Sequence, residues 1–178
     1  LPAGGGLKEL AVRASQAAGP GGDVFAELKK TFETIAMAKV SASAVEAKEL
    51  GLMRAGDKVA FNAYELLHVA KTTARAMFDA GYRAPARRTF PVTGRYGWGT
   101  IRGQMVNMRD GGFISAYDYQ LGDTIAEIVT GGDIDQGSVV SEQWILDLER
   151  KAFVALLNNP KTQERIMGMM QTGKPVRN

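Results

Sequence analysis

Apolar residues recur at helical spacing in one run after another, and glycine-rich breaks separate the runs; this pattern constrains the fold more than any other feature of the sequence. Phe25, Leu28, Phe32, Ile35 and Ala36 share one helical face. Asp23 stands just before that run, where a short carboxylate accepts hydrogen bonds from free backbone N–H groups. Ser43-Ala44-Val45-Glu46 has the capping-box pattern, and Gly51 offers a left-handed stop. Asn62 to Glu65 opens a helix that closes at Gly81, and Ser115 and Ser141 cap two more. Pro160 suits the first turn of a last helix, which carries Ile166, Met167, Met169 and Met170. With a first helix from Leu7 onward, the chain reads as seven or eight helices with one or two short strands. Val59-Ala60-Phe61 is the best strand candidate. Residues 82–99, with Pro85, Pro91 and three glycines, read as a long loop.

Composition narrows the chemistry. The 178 residues contain no cysteine and one histidine, His68. Disulfides, thiolate nucleophiles, cysteine-bound zinc and a histidine-rich metal centre are therefore excluded, and a reducing, cytoplasmic setting is expected. No apolar run reaches the roughly 20 residues that a membrane-spanning helix needs. His68, beside Leu67 and Val69, reads as a half-buried helix residue rather than a catalytic base. Leu1 lies within a glycine-rich turn, so the sequence reads as a segment of a longer polypeptide.

Charge is distributed unevenly. The net charge is +3, yet between Asp79 and Asp110 there is no acid, while Arg83, Arg87, Arg88, Arg95, Arg102 and Arg109 all fall there, interleaved with Tyr82, Phe90, Tyr96 and Trp98. Guanidinium forks match phosphates and aromatic faces stack on bases, which suggests a phosphate or nucleotide contact. The plainer alternative is a solvated loop whose arginines pair with acids elsewhere in the fold.

The nucleotide-fold signals fall short by one position each. Thr93-Gly94-Arg95-Tyr96-Gly97-Trp98-Gly99 is one residue shorter than a dinucleotide turn of the Thr-Gly-x-x-x-Gly-x-Gly type. Gly97, Gly99 and Gly103 miss the Gly-x-Gly-x-x-Gly spacing, in which each glycine serves a separate backbone approach. No nucleophile elbow and no phosphate-binding Walker loop is present. The turn at Gly4-Gly5-Gly6, running into a helix, offers backbone N–H groups to an anion or a polarised oxygen.

Leu1-Pro2-Ala3-Gly4-Gly5-Gly6-Leu7-Lys8-Glu9-Leu10, followed in order by Ser43-Ala44-Val45-Glu46-Ala47 and Gly51-Leu52-Met53, resembles segments of enoyl-CoA hydratases of the crotonase family. Gly112 to Asp118, Val129 to Asp133, Ser141 to Arg150 and Lys161 to Asn178 resemble bacterial β-oxidation proteins that join a 3-hydroxyacyl-CoA dehydrogenase region to a crotonase-like region. This resemblance implies a mainly α chain forming the C-terminal helical half of a crotonase-like α/β fold, with residues 1–80 completing the crotonase-like core and 81–178 a helical extension. It implies no catalytic glutamate or oxyanion hole in this chain, a water-positioning role for the Ala3 backbone N–H, substrate contact at Gly4, and no metal. Arg87 and Arg88 are added as candidates for the phosphates of CoA. By the same resemblance, the longer enzyme is active with acyl-CoA and uses NAD in its dehydrogenase region. The isolated chain holds no cofactor, is inactive and covers the acyl pocket. Its expected partners are the other regions of the same protein, a second copy or a thiolase. The competing expectation is a helical module that binds nucleic acid or protein through the basic stretch 82–109.

Overall fold

The computed structural model describes residues 4–178. Helices dominate: α1 (Gly6–Ala18), α2 (Val24–Ala36), α3 (Ala44–Glu49), α4 (Leu66–Asp79, entered through a single 3-10 turn, Ala63–Glu65), α5 (Gly94–Asp110), α6 (Ala116–Thr130), α7 (Glu142–Leu157) and α8 (Pro160–Thr172). Two short strands, β1 (Thr89–Pro91) and β2 (Val139–Ser141), pair antiparallel.

The chain divides into two compact units, one made of residues up to 39 together with 88–178, the other of residues 40–87. The first unit holds the core. Leu7 and Val12 of α1, Leu28 of α2, Ile128 and Val129 of α6 and Ile145 of α7 are almost wholly buried, and Ile101 and Met105 of α5 complete the cluster. In the small sheet, Phe90 faces Val140 and both are buried. Their strand neighbours Thr89, Pro91 and Val139 are exposed, the alternation expected of a strand with one face on the core. Pro91 is tolerated because a two-stranded sheet consists only of edges.

The helix starts follow the sequence signals. Asp23 Oδ1 accepts from the amides of Phe25 and Ala26, Ser141 Oγ from that of Trp144 and Asn159 Oδ1 from that of Lys161. Ser115 and Asp118 form a reciprocal capping box. The second unit contains α3 and α4, and among its residues only Ala47 is buried. α4 buries none.

Three expectations need correction. Val59-Ala60-Phe61 is not a strand: Phe61 is fully exposed and no neighbouring segment supplies a hydrogen-bonding edge. The loop expected over 82–99 ends early, because α5 begins at Gly94. Two of its three glycines, Gly94 and Gly97, serve packing. A Cβ on Gly94 would strike the Ile134 carbonyl oxygen, and one on Gly97 would strike Thr93 and crowd Phe25. The crotonase-like α/β architecture is also not what the described residues form. They make a mostly helical domain whose strands are one antiparallel pair, too short and too few to lay down a layered α/β sheet.

Candidate functional site

The most distinctive polar feature lies where α1 begins. Gly4 and Gly5 both take left-handed φ angles, +81° and +95°. Gly5 caps α1 through its backbone alone, since glycine brings no side-chain acceptor. Its N–H donates to Glu149 Oε1 at 3.2 Å. The carboxylate thus stands at the positive end of α1, where the aligned peptide dipoles favour a negative charge. The anion that meets the glycine turn is one of the protein's own side chains.

Glu149 comes from the middle of α7 and is only 3% exposed. Its second oxygen, Oε2, is buried and has no hydrogen-bond partner. Glu149, Arg150 and Phe153 lie three, four and seven residues beyond Leu146, so one face of α7 turns toward Gly4 and Gly5. Between them lies a cleft of about 210 Å³ lined by these six residues. The approach is close: a Cβ on Gly5 would come within 3.3 Å of Leu146 Cδ2. The cleft is thus walled mainly by Leu146 and Phe153, with the buried Glu149 beside it.

Beside it runs a network of ion pairs. Lys8 bridges Glu9 (3.2 Å) and Glu142 (3.1 Å). Arg88 reaches Glu142 (2.7 Å) and Glu9 (3.2 Å), and Arg13 also pairs with Glu9. The Arg88 backbone N–H donates to the same Glu142 oxygen as its guanidinium. The Arg88 hydrogen bond, helped by Lys8, holds the Glu142 carboxyl at a pKa of about 2, against the opposing effect of desolvation. Arg88 in turn is pushed above its ordinary value, chiefly by Glu142.

Of the residues singled out by sequence, Gly4 lines the cleft and Arg88 sits in the ion-pair network. Arg87 is exposed and belongs to the other unit. The Ala3 amide lies outside the described residues. Most of the basic stretch is paired: Arg95 with Asp133 and Asp135, Arg102 with Asp123, and Arg109 with Asp110 while lying over the Tyr119 ring. His68 is exposed on α4. Among the described residues no group of histidine, aspartate and glutamate could hold a metal ion, and no helix is long and apolar enough to cross a membrane. Gly94 and Gly97 are packed against Ile134, Thr93 and Phe25, so these two glycines serve internal contacts, whereas in a dinucleotide turn they would let a pyrophosphate approach the backbone.

Glu149 was missed in the sequence, although a signal for it exists. It falls among Ile145, Leu148, Ala152 and Leu156, on the stripe of α7 that turns inward. A carboxylate on an apolar stripe stands out, because a buried charge without partners is costly.

Comparison with known proteins gives one informative likeness. A protein of Bacillus subtilis (strain 168) named "Probable 3-hydroxyacyl-CoA dehydrogenase" is 38% identical over all 178 residues of this chain, which span 22% of the relative's length. No family model matches, and no solved structure matches. The likeness corrects the crotonase assignment. The relative carries a dehydrogenase name, and the helical domain with its single strand pair is not an enoyl-CoA hydratase fold.

Proposed function

We propose that this chain is a helical part of a longer 3-hydroxyacyl-CoA dehydrogenase of fatty-acid β-oxidation, acting in the cytoplasm. It helps to bind and enclose the acyl-CoA substrate and contacts other regions of the same polypeptide. The carrying observation is the 38% identity that runs the full length of this chain yet occupies only 22% of the relative.

Hydride transfer and NAD binding belong to another region of that polypeptide. The glycine turn at Thr93 supports this division, since two of its three glycines, Gly94 and Gly97, are packed against Ile134, Thr93 and Phe25. Substrate contact is assigned to Gly4, which lines the cleft. Arg87 is the better candidate for a CoA phosphate, because it is exposed. Arg88 is a weaker one, as two glutamates already neutralise it.

The test is to express the complete reading frame and, separately, residues 1–178. Each is mixed with NAD and a 3-hydroxyacyl-CoA, and NADH absorbance is followed. The complete product should form NADH and the 178-residue chain should not. NADH formation by the chain alone would overturn the division of labour; its absence from the complete product would overturn the dehydrogenase reading.

A further inference from the structure

We infer that the exposed apolar side of α4 is a docking face for another region of the same polypeptide, one that presents an apolar surface with an acid at its edge. The inference rests on the reading above, in which this chain is part of a longer protein, and names the surface through which that part is joined.

Leu66, Ala70, Ala74 and Phe78 recur every four residues, and Leu67 and Met77 fall between them on the same side. At 3.6 residues per turn the six span about a third of the helix circumference. All six are exposed, Leu67 by 80% and Phe78 by 74%. The unit's own chain covers a different side of the helix: Val69 and Thr73 are half-buried, and Lys58 Nζ reaches Thr73 Oγ1 at 3.2 Å. An amphipathic helix normally turns its apolar stripe toward a core. α4 carries the stripe, and the described residues leave it open to solvent.

Charge and connectivity select the occupant. Lys71 and Arg75 line one edge of the face. Arg75 pairs with Asp79 and lies over the Phe78 ring, whereas Lys71 makes no ion pair among the described residues. Covering the face takes water from Lys71, and an ammonium removed from water needs an acid beside it. A second copy laid antiparallel across the face would set this edge against its own image, Lys71 beside Lys71, and would supply no acid. A different surface can supply one. The relative's length leaves more than three quarters of such a protein outside this chain. A surface tethered to α4 is present at an effective concentration of about millimolar, which favours it over a separate molecule.

The test uses the complete gene product, with a photoreactive benzoylphenylalanine in place of Leu67 or, in a second preparation, of Phe78. Equal amounts of ¹⁴N- and ¹⁵N-labelled protein are mixed and irradiated, and cross-linked peptides are identified by mass spectrometry. Both positions should join peptides outside residues 1–178, each cross-linked pair carrying a single isotope. Ala74→Arg places a good helix former with an unpaired charge in the middle of the face. It should lower the yield at either position at least ~10-fold, because docking would then bury that charge. In the wild-type protein, which needs no substitution, a zero-length carbodiimide should join Lys71 to an acid outside residues 1–178. Mixed-isotope pairs would identify a second copy as the occupant and overturn the inference. Cross-links confined to residues 1–178, no cross-links at either position, or a yield indifferent to Ala74→Arg would also overturn it. NADH formation on a 3-hydroxyacyl-CoA is followed in parallel. Normal turnover without the expected cross-links sinks the α4 assignment alone, whereas no turnover sinks the dehydrogenase reading whatever the cross-links.

Discussion

Two glutamates a short distance apart on α7 behave in opposite ways, and the difference lies in their partners. Glu142, in the first turn of α7, is met by Lys8 and by both the backbone and the guanidinium of Arg88. Glu149 has the Gly5 amide only. The pKa of about 2 at Glu142, against an ordinary 4.5, means that the folded state binds the proton less readily than the unfolded chain does. Its contribution to stability is therefore complete above about pH 4.5 and is lost as pH falls toward 2. Glu142→Gln should cost about 1–2 kcal/mol at neutral pH, a partly exposed pair being worth less than a buried one. Urea unfolding of wild type and variant should show that gap at pH 7 and nearly none at pH 2; a gap independent of pH would mean that the network contributes little. Asp118 follows the same logic on α6. Burial pushes its carboxyl up, but hydrogen bonds from Arg165 and Ser115 outweigh this and hold it below the ordinary range.

Among the elements, α5 shows what local signals convey and what they leave out. Helix starts were legible wherever a side chain supplies the cap. Asp23, Ser115, Ser141 and Pro160 each stand where the sequence pattern puts them. The beginning of α5 was not legible, because Thr93 makes no cap hydrogen bond and five glycines or prolines around it signal a loop. Tertiary packing overrides that propensity. The strands were misplaced for a related reason: Val59–Phe61 has β-forming residues but no partner, whereas Thr89–Pro91 contains a proline and has Val139–Ser141 beside it. The glycines of α5 can be sorted by experiment. Gly94 has φ +55° and abuts the Ile134 carbonyl, so Gly94→Ala should destabilise by at least ~2 kcal/mol through backbone strain and collision. Gly103 has ordinary helical geometry and open space around it, so Gly103→Ala should stabilise by about 0.5–1 kcal/mol through helix propensity. Denaturation midpoints of the two variants should move in opposite directions. Movement in the same direction would show that the glycines of α5 are not distinguished by packing.

At the scale of the whole molecule, the two units differ in what holds them together. The helical character of both was legible in the sequence, because it depends on periodicity within single segments. Which helices share a core was not, because that depends on contacts between distant segments, and neither was the assignment of the architecture. The first unit closes around Leu7, Leu28, Ile128, Val129 and Ile145, drawn from four helices. The second, residues 40–87, buries Ala47 alone. Its longest helix, α4, has 14 residues, none of them buried, while Leu67 and Phe78 are largely exposed. A helix of this length is marginal in water without tertiary packing. Its stability rests on local links such as Arg75–Asp79 and the Lys58–Thr73 hydrogen bond, and an exposed ion pair one helical turn apart contributes only about 0.3–0.5 kcal/mol. Opening of α4 should therefore cost far less than opening of α6. In hydrogen–deuterium exchange of the 178-residue chain, amides of Val69 to Met77 should exchange at least ~100-fold faster than those of Ala126 to Val129, because local unfolding of a weakly packed segment requires only a fraction of the global free energy. Comparable protection in the two helices would show that α4 is stabilised by more than its own turns.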